Sequence, residues 1–285
     1  SGAAVSDMLQ CSWTQGLNIG IHADPSPLCH RESERLRIMP EVVPGSDFTC
    51  ANFHHSMRCW GEASDGRLNH AALTSGTHSV SHSELNVPAP EEGASIAQIA
   101  VASTGGCMLL DTSRVYCWGL NTQQQLGIPS SAHTPGTALT QVTLGKHACV
   151  SMQPLGRAVV SLSTTNKDSF CAVLSDGSST CWGANSDDVL GHGSSGGAAL
   201  VDPNCESLQP PPVLPVPHGS SVLRVFGSAA QNTRCALFTS GKVRCWGANA
   251  NGLTGQYTET NTGNSLLENS DMDLGPNPVV ILDMT

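Results

Sequence analysis

Twelve cysteines in a chain of 285 residues are the densest source of chemistry in this sequence. A cysteine sulfur can ligate a metal or bond a second sulfur, and spacing separates the two. Structural zinc sites draw on Cys-x-x-Cys or Cys-x-x-x-x-Cys pairs, and neither occurs. Eight cysteines instead fall in pairs nine or ten residues apart: Cys50 and Cys59, Cys107 and Cys117, Cys171 and Cys181, Cys235 and Cys245. Paired cysteines in even number point to disulfides and an oxidising compartment. The other four are Cys11, Cys29, Cys149 and Cys205; pairing Cys11 with Cys29 and Cys149 with Cys205 is one of three possible connectivities.

Other reactive types are present but do not converge. Histidine is abundant at eleven, with His54-His55 adjacent and His70, His78 and His82 just beyond. Neutral imidazoles bind zinc or copper readily, yet no carboxylate or cysteine recurs beside them at a ligand spacing. Gly193-Ser194-Ser195-Gly196-Gly197 satisfies Gly-x-Ser-x-Gly formally. A nucleophile elbow needs a strand before it and a helix after it, and this Gly/Ser run offers neither. The acid pairs Glu91-Glu92 and Asp187-Asp188 read as solvated loop residues, and Asp176 as a turn residue. No catalytic residue, cofactor-binding residue or metal ligand is therefore assigned, and no enzymatic activity is expected.

The elements that carry the cysteines repeat. All five tryptophans follow a cysteine closely: Cys59-Trp60-Gly61, Cys117-Trp118-Gly119, Cys181-Trp182-Gly183, Cys245-Trp246-Gly247, and a degenerate Cys11-Ser12-Trp13. Between the paired cysteines lie a short apolar run, a polar turn and a second run, as in Cys171 to Cys181. Asp176-Gly177 and Ser240-Gly241 are tight-turn dipeptides, because glycine takes the positive φ such turns require. In the first intact copy His54-His55-Ser56 stands where that glycine belongs. Each unit is thus a β-hairpin with a cysteine at the outer end of each strand, close enough across the ladder to bond. A further apolar run precedes the hairpins at 96–101, 159–162 and 222–226, and a Gln-Leu-Gly-like tail follows at 124–127, 189–191 and 252–255. Three or four short strands per repeat make one blade of a β-propeller.

Successive motif cysteines are 48, 58, 64 and 64 residues apart, and the interval from Cys245 around the ends to Cys11 is 51. The chain is expected to form one all-β domain, residues 1–285, with five blades and hairpins near 3–13, 50–60, 107–118, 171–182 and 235–246. Pro278–Leu282 reads as the strand before a hairpin and Ala3–Cys11 as a worn hairpin, so strands from the two termini would close the ring. A fragment of a seven-bladed ring is the alternative. Trp13, Trp60, Trp118, Trp182 and Trp246 at one blade position are expected to pack between blades.

The repeat resembles the regulator of chromosome condensation family, whose signature is roughly Cys-Ala-Leu-x-x-Asp-Gly-x-Val-x-Cys-Trp-Gly-x-Asn-x-x-Gly-Gln-Leu-Gly. It looks most like that family's secreted, disulfide-bearing branch, which includes crinkly-type plant receptor ectodomains and bacterial extracellular propellers. The likeness recurs over essentially the whole chain, but family propellers usually have seven blades. It implies a binding or scaffold surface more than an enzyme; fold alone does not settle function.

Net charge is −10 with only 13% charged residues, against the clustered Lys and Arg of a nucleic-acid footprint. No apolar run is long enough to span a bilayer. The small, polar start Ser1-Gly2-Ala3-Ala4 resembles a processed end, and no Asn-x-Ser/Thr sequon occurs. The proline-rich stretch 209–217 reads as a stiff crossover between blades. Together these features suit a secreted or cell-surface interaction module, with a protein or glycan partner or self-association into an extracellular assembly. A soluble inhibitor or effector of a secreted enzyme is the second reading. Nucleotide exchange on a nuclear GTPase, suggested by the family name, fits neither the acidity nor the cysteines.

Overall fold

The structure is a computed structural model and describes residues 41–69, 76–78, 86–127, 142–143, 158–165, 167–191, 220–228, 231–255 and 271–272. The chain divides into two units, Ser1–Pro40 and Glu41–Thr285, and every described element belongs to the second. Cys11, Trp13, Cys29, His70, His82, Cys149, Cys205, the 193–197 and 209–217 runs and the two terminal strands lie outside the described residues. So does the ring closure assigned to those strands.

Four antiparallel sheets follow one another along the chain. The first blade is β1 (Glu41–Pro44), β2 (Phe48–Asn52) and β3 (Ser56–Glu62), with β4 (Thr77–His78) and β5 (Asn86–Pro88) both pairing β3. The second is β6 (Ile96–Val101), β7 (Gly105–Leu110), β8 (Val115–Gly119) and β9 (Val142–Thr143). The third is β10 (Val159–Thr165), β11 (Ser169–Leu174) and β12 (Ser179–Gly183). The fourth is β13 (Val222–Gly227), β14 (Thr233–Phe238) and β15 (Val243–Gly247). Thus β4, β5 and β9 arise inside stretches that read as linkers, and His78 pairs with Gly61.

Turn chemistry explains the hairpins. Gly177 and Gly241 have φ of +78°, and their N–H groups bond the carbonyls of Leu174 and Phe238 at 2.9 Å. A Cβ on Gly177 would also lie 2.4 Å from Ser221 Cβ, so the next blade approaches too closely for any side chain. The second blade makes the same turn with Ser113 at φ 62°. In the first blade His54 takes φ 67°, supported by its N–H bonding Asn52 Oδ1 at 2.9 Å. Asparagine's amide thereby supplies locally what a turn glycine supplies elsewhere.

The core lies between consecutive sheets. Because strand side chains alternate, each sheet has two apolar faces, and one cluster fills each gap: first to second, second to third, third to fourth. The inner strands are joined directly. Gln98 donates to the Leu162 carbonyl at 2.9 Å and accepts the Leu162 N–H at 2.7 Å, so one side-chain amide clamps the next blade's inner strand.

Candidate functional site

The paired cysteines sit directly opposite one another, Cys50↔Cys59, Cys107↔Cys117, Cys171↔Cys181 and Cys235↔Cys245. All four pairs are disulfide-bonded, with Cα atoms 4.0–4.1 Å apart. Each of the first three faces the following blade, where a tryptophan shares its apolar cluster: Cys50–Cys59 with Trp118, Cys107–Cys117 with Trp182, Cys171–Cys181 with Trp246. Trp60 is partly buried and packs on the first cluster.

Each indole also donates backwards. Trp118 Nε1–H bonds the Arg67 carbonyl at 2.8 Å, Trp182 the Gln125 carbonyl at 3.1 Å, and Trp246 the Val189 carbonyl at 2.9 Å. Those carbonyls lie in the loop after the preceding Trp-Gly. That loop is shaped by an asparagine: Asn121, Asn185 and Asn249 each accept, at 3.0 Å, the N–H of the residue five further on. The Trp-Gly glycines have φ of +99° to +119°, and a Cβ there would lie 2.1–2.5 Å from a backbone carbonyl oxygen. The recurrent Cys-Trp-Gly-x-Asn string is therefore a joint: staple, wedge, close approach and loop clip in succession. In the first blade Ala63 stands in the asparagine's place.

One position in this joint varies in kind. The residue opposite the tryptophan is Thr49, Gly106, Phe170 or Arg234 in successive blades. Opposite residues share a sheet face, so this position always looks into the blade interface. Phe170 stacks with Trp182, centroids 6.0 Å apart and planes 25° apart. Arg234 is 0% exposed. Its Nη2–H donates to Ser169 Oγ at 2.8 Å and Nη1–H to Ser163 Oγ at 3.5 Å, while Nε has no partner among the described residues. Burial pulls its guanidinium down to about 9. The alternating pattern of β14 marks Arg234 as one more strand residue; only its register against Trp246 reveals where it points.

The acids divide. Glu91, read from sequence as solvated, accepts from Tyr116 Oη at 2.5 Å and Thr112 Oγ1 at 3.2 Å and pairs with Arg114 at 3.0 Å. Burial pushes its carboxyl up, but these bonds outweigh it and hold the group below the usual carboxylate range. In return Tyr116 is pushed up to about 12, by burial first and then by the bond to Glu91. Sequence reasoning missed this cluster because its members are distant in the chain. Asp187 accepts from Asn232 Nδ2 at 3.1 Å across the third interface. Asp176 accepts its own turn's Ser178 N–H at 3.0 Å. Asp168 spans the second interface, taking the Thr104 N–H at 2.8 Å, and burial raises its pKa against that bond. At the Trp-Gly rim Asp47, Glu62 and Asp65 surround Arg67. The carbonyls of His54 and His55 accept from Ile96 and Ala89. Among the described residues no group of three or more His, Cys, Asp or Glu is arranged to hold a metal ion.

No family model and no curated protein matches the sequence. Solved structures do. Human WBSCR16 is 16% identical with a TM-score of 0.58, over 82% of this chain and 52% of that one. Yeast RCC1 (Prp20) bound to Kap60 is 15% identical with a TM-score of 0.61, over 83% and 50%. Saccharomyces cerevisiae Prp20p, described for its binding to Gsp1p and histones, is 15% identical with a TM-score of 0.56, over 83% and 52%. The chain spans about half the length of these structures. At such identities the likeness establishes a fold: an RCC1-like β-propeller.

Proposed function

We propose that this chain is a non-enzymatic extracellular interaction or structural module, its contacts made by blade-specific loops on a disulfide-stapled propeller. The observation that carries this is the repeated joint, in which each of the first three disulfides backs the next blade's tryptophan. Four hairpin disulfides suit an oxidising compartment, and a rigid ring with unequal loops suits recognition. No helix among the described residues is long and apolar enough to cross a membrane.

The partner would be a protein or glycan, or further copies of the chain. Phe53, 44% exposed with Arg58 stacked 5.7 Å from its ring centroid, presents the residue types that dominate protein contacts. That pair equally favours the second reading, a soluble inhibitor or effector of a secreted enzyme. Nucleotide exchange is disfavoured by the net charge of −10 and the disulfides.

The direct test is electron microscopy with light scattering on untreated native material. Ordered fibres or sheets support a structural subunit, and single particles of one chain's mass support a binder with a separate partner. Trimming the 185–222 linker refines the choice. Asn185, Val189 and Val222 belong to blade joints, so the deletion must stay within 192–219. Partner binding or assembly should be lost while the fold persists; normal binding would move the contact surface elsewhere.

A further inference from the structure

The joint between the third and fourth blades contains a cation that no described residue neutralises. Arg234 is fully buried, and among the described residues no charged neighbour offsets its burial. Among the described residues its partners are two hydroxyls, Ser169 Oγ at 2.8 Å and Ser163 Oγ at the limiting 3.5 Å, and Nε–H meets none. Around it the buried polar groups are hydroxyls too: Thr165 Oγ1 and Ser169 Oγ are 2.6 Å apart, and both residues are 0% exposed. A guanidinium carries five donors and no acceptor, and a hydroxyl can rotate to donate. The described neighbourhood is thus rich in donors and supplies no negative charge. Leaving an ionised group uncompensated in such surroundings is expensive, and the usual remedies are a counter-ion or loss of the charge. Arginine stays protonated at neutral pH even with the downward pull described above.

We propose that this joint binds a small monovalent inorganic anion of chloride's kind, held by the Arg234 guanidinium and the Ser163 and Ser169 hydroxyls. One guanidinium neutralises one negative charge, which favours a monovalent ion over sulfate or phosphate. The apolar wall formed by Trp246, Val225 and Ala236 favours a compact ion over a hydrated organic one. The neighbouring joint has no such requirement, because Phe170 occupies the equivalent place.

The test is thermal unfolding of the full chain, disulfides intact, in sodium gluconate, chloride and bromide at one fixed ionic strength. Halide at about twenty times its dissociation constant should favour the folded state about twentyfold by mass action, raising the midpoint relative to gluconate. Bromide should also quench tryptophan fluorescence saturably, through Trp246 on the same strand pair. Arg234→Leu should abolish both responses. If that variant does not fold, Ser169→Ala keeps the charge, removes one ligand hydroxyl and should weaken the halide response several-fold. Equal midpoints in gluconate and halide for the unaltered chain would overturn the site. So would a halide response retained in full by Arg234→Leu, or by Ser169→Ala where the first variant fails, since a surface salt effect ignores these residues.

Discussion

The joint between the second and third blades and the joint between the third and fourth share a backbone but differ in one side chain. In both, a disulfide faces a tryptophan and the indole donates to the preceding loop, at 3.1 Å from Trp182 and 2.9 Å from Trp246. Opposite the first stands Phe170, stacked on the ring; opposite the second stands Arg234, fully buried among hydroxyls. The apolar joint derives its stability from burial, worth roughly 25 cal/mol per Å² of apolar surface. The charged joint must first offset desolvation of a guanidinium. The motif therefore fixes geometry, while the residue opposite the tryptophan sets the chemistry of each gap.

Removing the indoles should give the largest effect. Trp182→Ala is expected to cost about 3–5 kcal/mol in denaturant unfolding with disulfides intact. Measured in gluconate, Trp246→Ala should fall at or below the low end of that range, because the opened cavity lets water reach Arg234. Equal losses would mean that the guanidinium is already compensated. The reciprocal exchange asks the same question more sharply. Phe170→Arg should destabilise by about 3 kcal/mol or more, since Ala100 and Gly105 stand in the second blade where Ser163 and Ser169 stand in the third, and neither carries a hydroxyl. Arg234→Phe, measured in gluconate, should be neutral or stabilising, as hydrophobic replacements of buried charges often are.

Cysteine removal comes next. Replacing Cys171 and Cys181 together by alanine should cost about 2–4 kcal/mol. The effect should be non-additive with Trp246→Ala, because the disulfide and the ring share one cluster. Additivity within about 0.5 kcal/mol would show that staple and wedge act independently.

The hairpins were legible because their signals are local. Glycine after aspartate or serine, cysteines nine or ten apart and alternating apolar runs all act within a dozen residues. Blade one, with His54-His55 in place of the turn glycine, was read as a departure; Asn52 two residues earlier carried the missing information. What stayed hidden is non-local. Glu91 meets Tyr116 across 25 residues and Gln98 meets Leu162 across 64, and no spacing rule links such partners. Arg234 lies between these cases. Once Trp246 is assigned to an interface, cross-strand register with Cys235 and Cys245 places residue 234 on the same face, so its burial was derivable although its partners were not.

The smallest expected effects are those of pH, and they set an acid of the second-to-third joint against one that lies in neither joint. Asp168 belongs to the second-to-third joint, and its folded pKa is raised above the ordinary 3.8. Such a group stabilises fully below its unfolded pKa, and that contribution is lost as pH rises through the folded value. Asp168→Asn keeps an oxygen for the Thr104 N–H and should leave stability at neutral pH unchanged or higher, by less than about 1 kcal/mol. Glu91, on the second blade, has the opposite sign: held below 4.5, it stabilises above that value and fades as pH falls through its depressed folded pKa. Glu91→Gln should therefore cost about 0.5–1 kcal/mol at pH 7 after allowance for solvent screening, and nothing in strong acid. The difference between the two variants' pH profiles is the diagnostic quantity. If both variants lost stability in parallel from acid to neutral pH, the carboxylate of Asp168 would be a favourable bridge between blades, and its burial would not be the dominant influence.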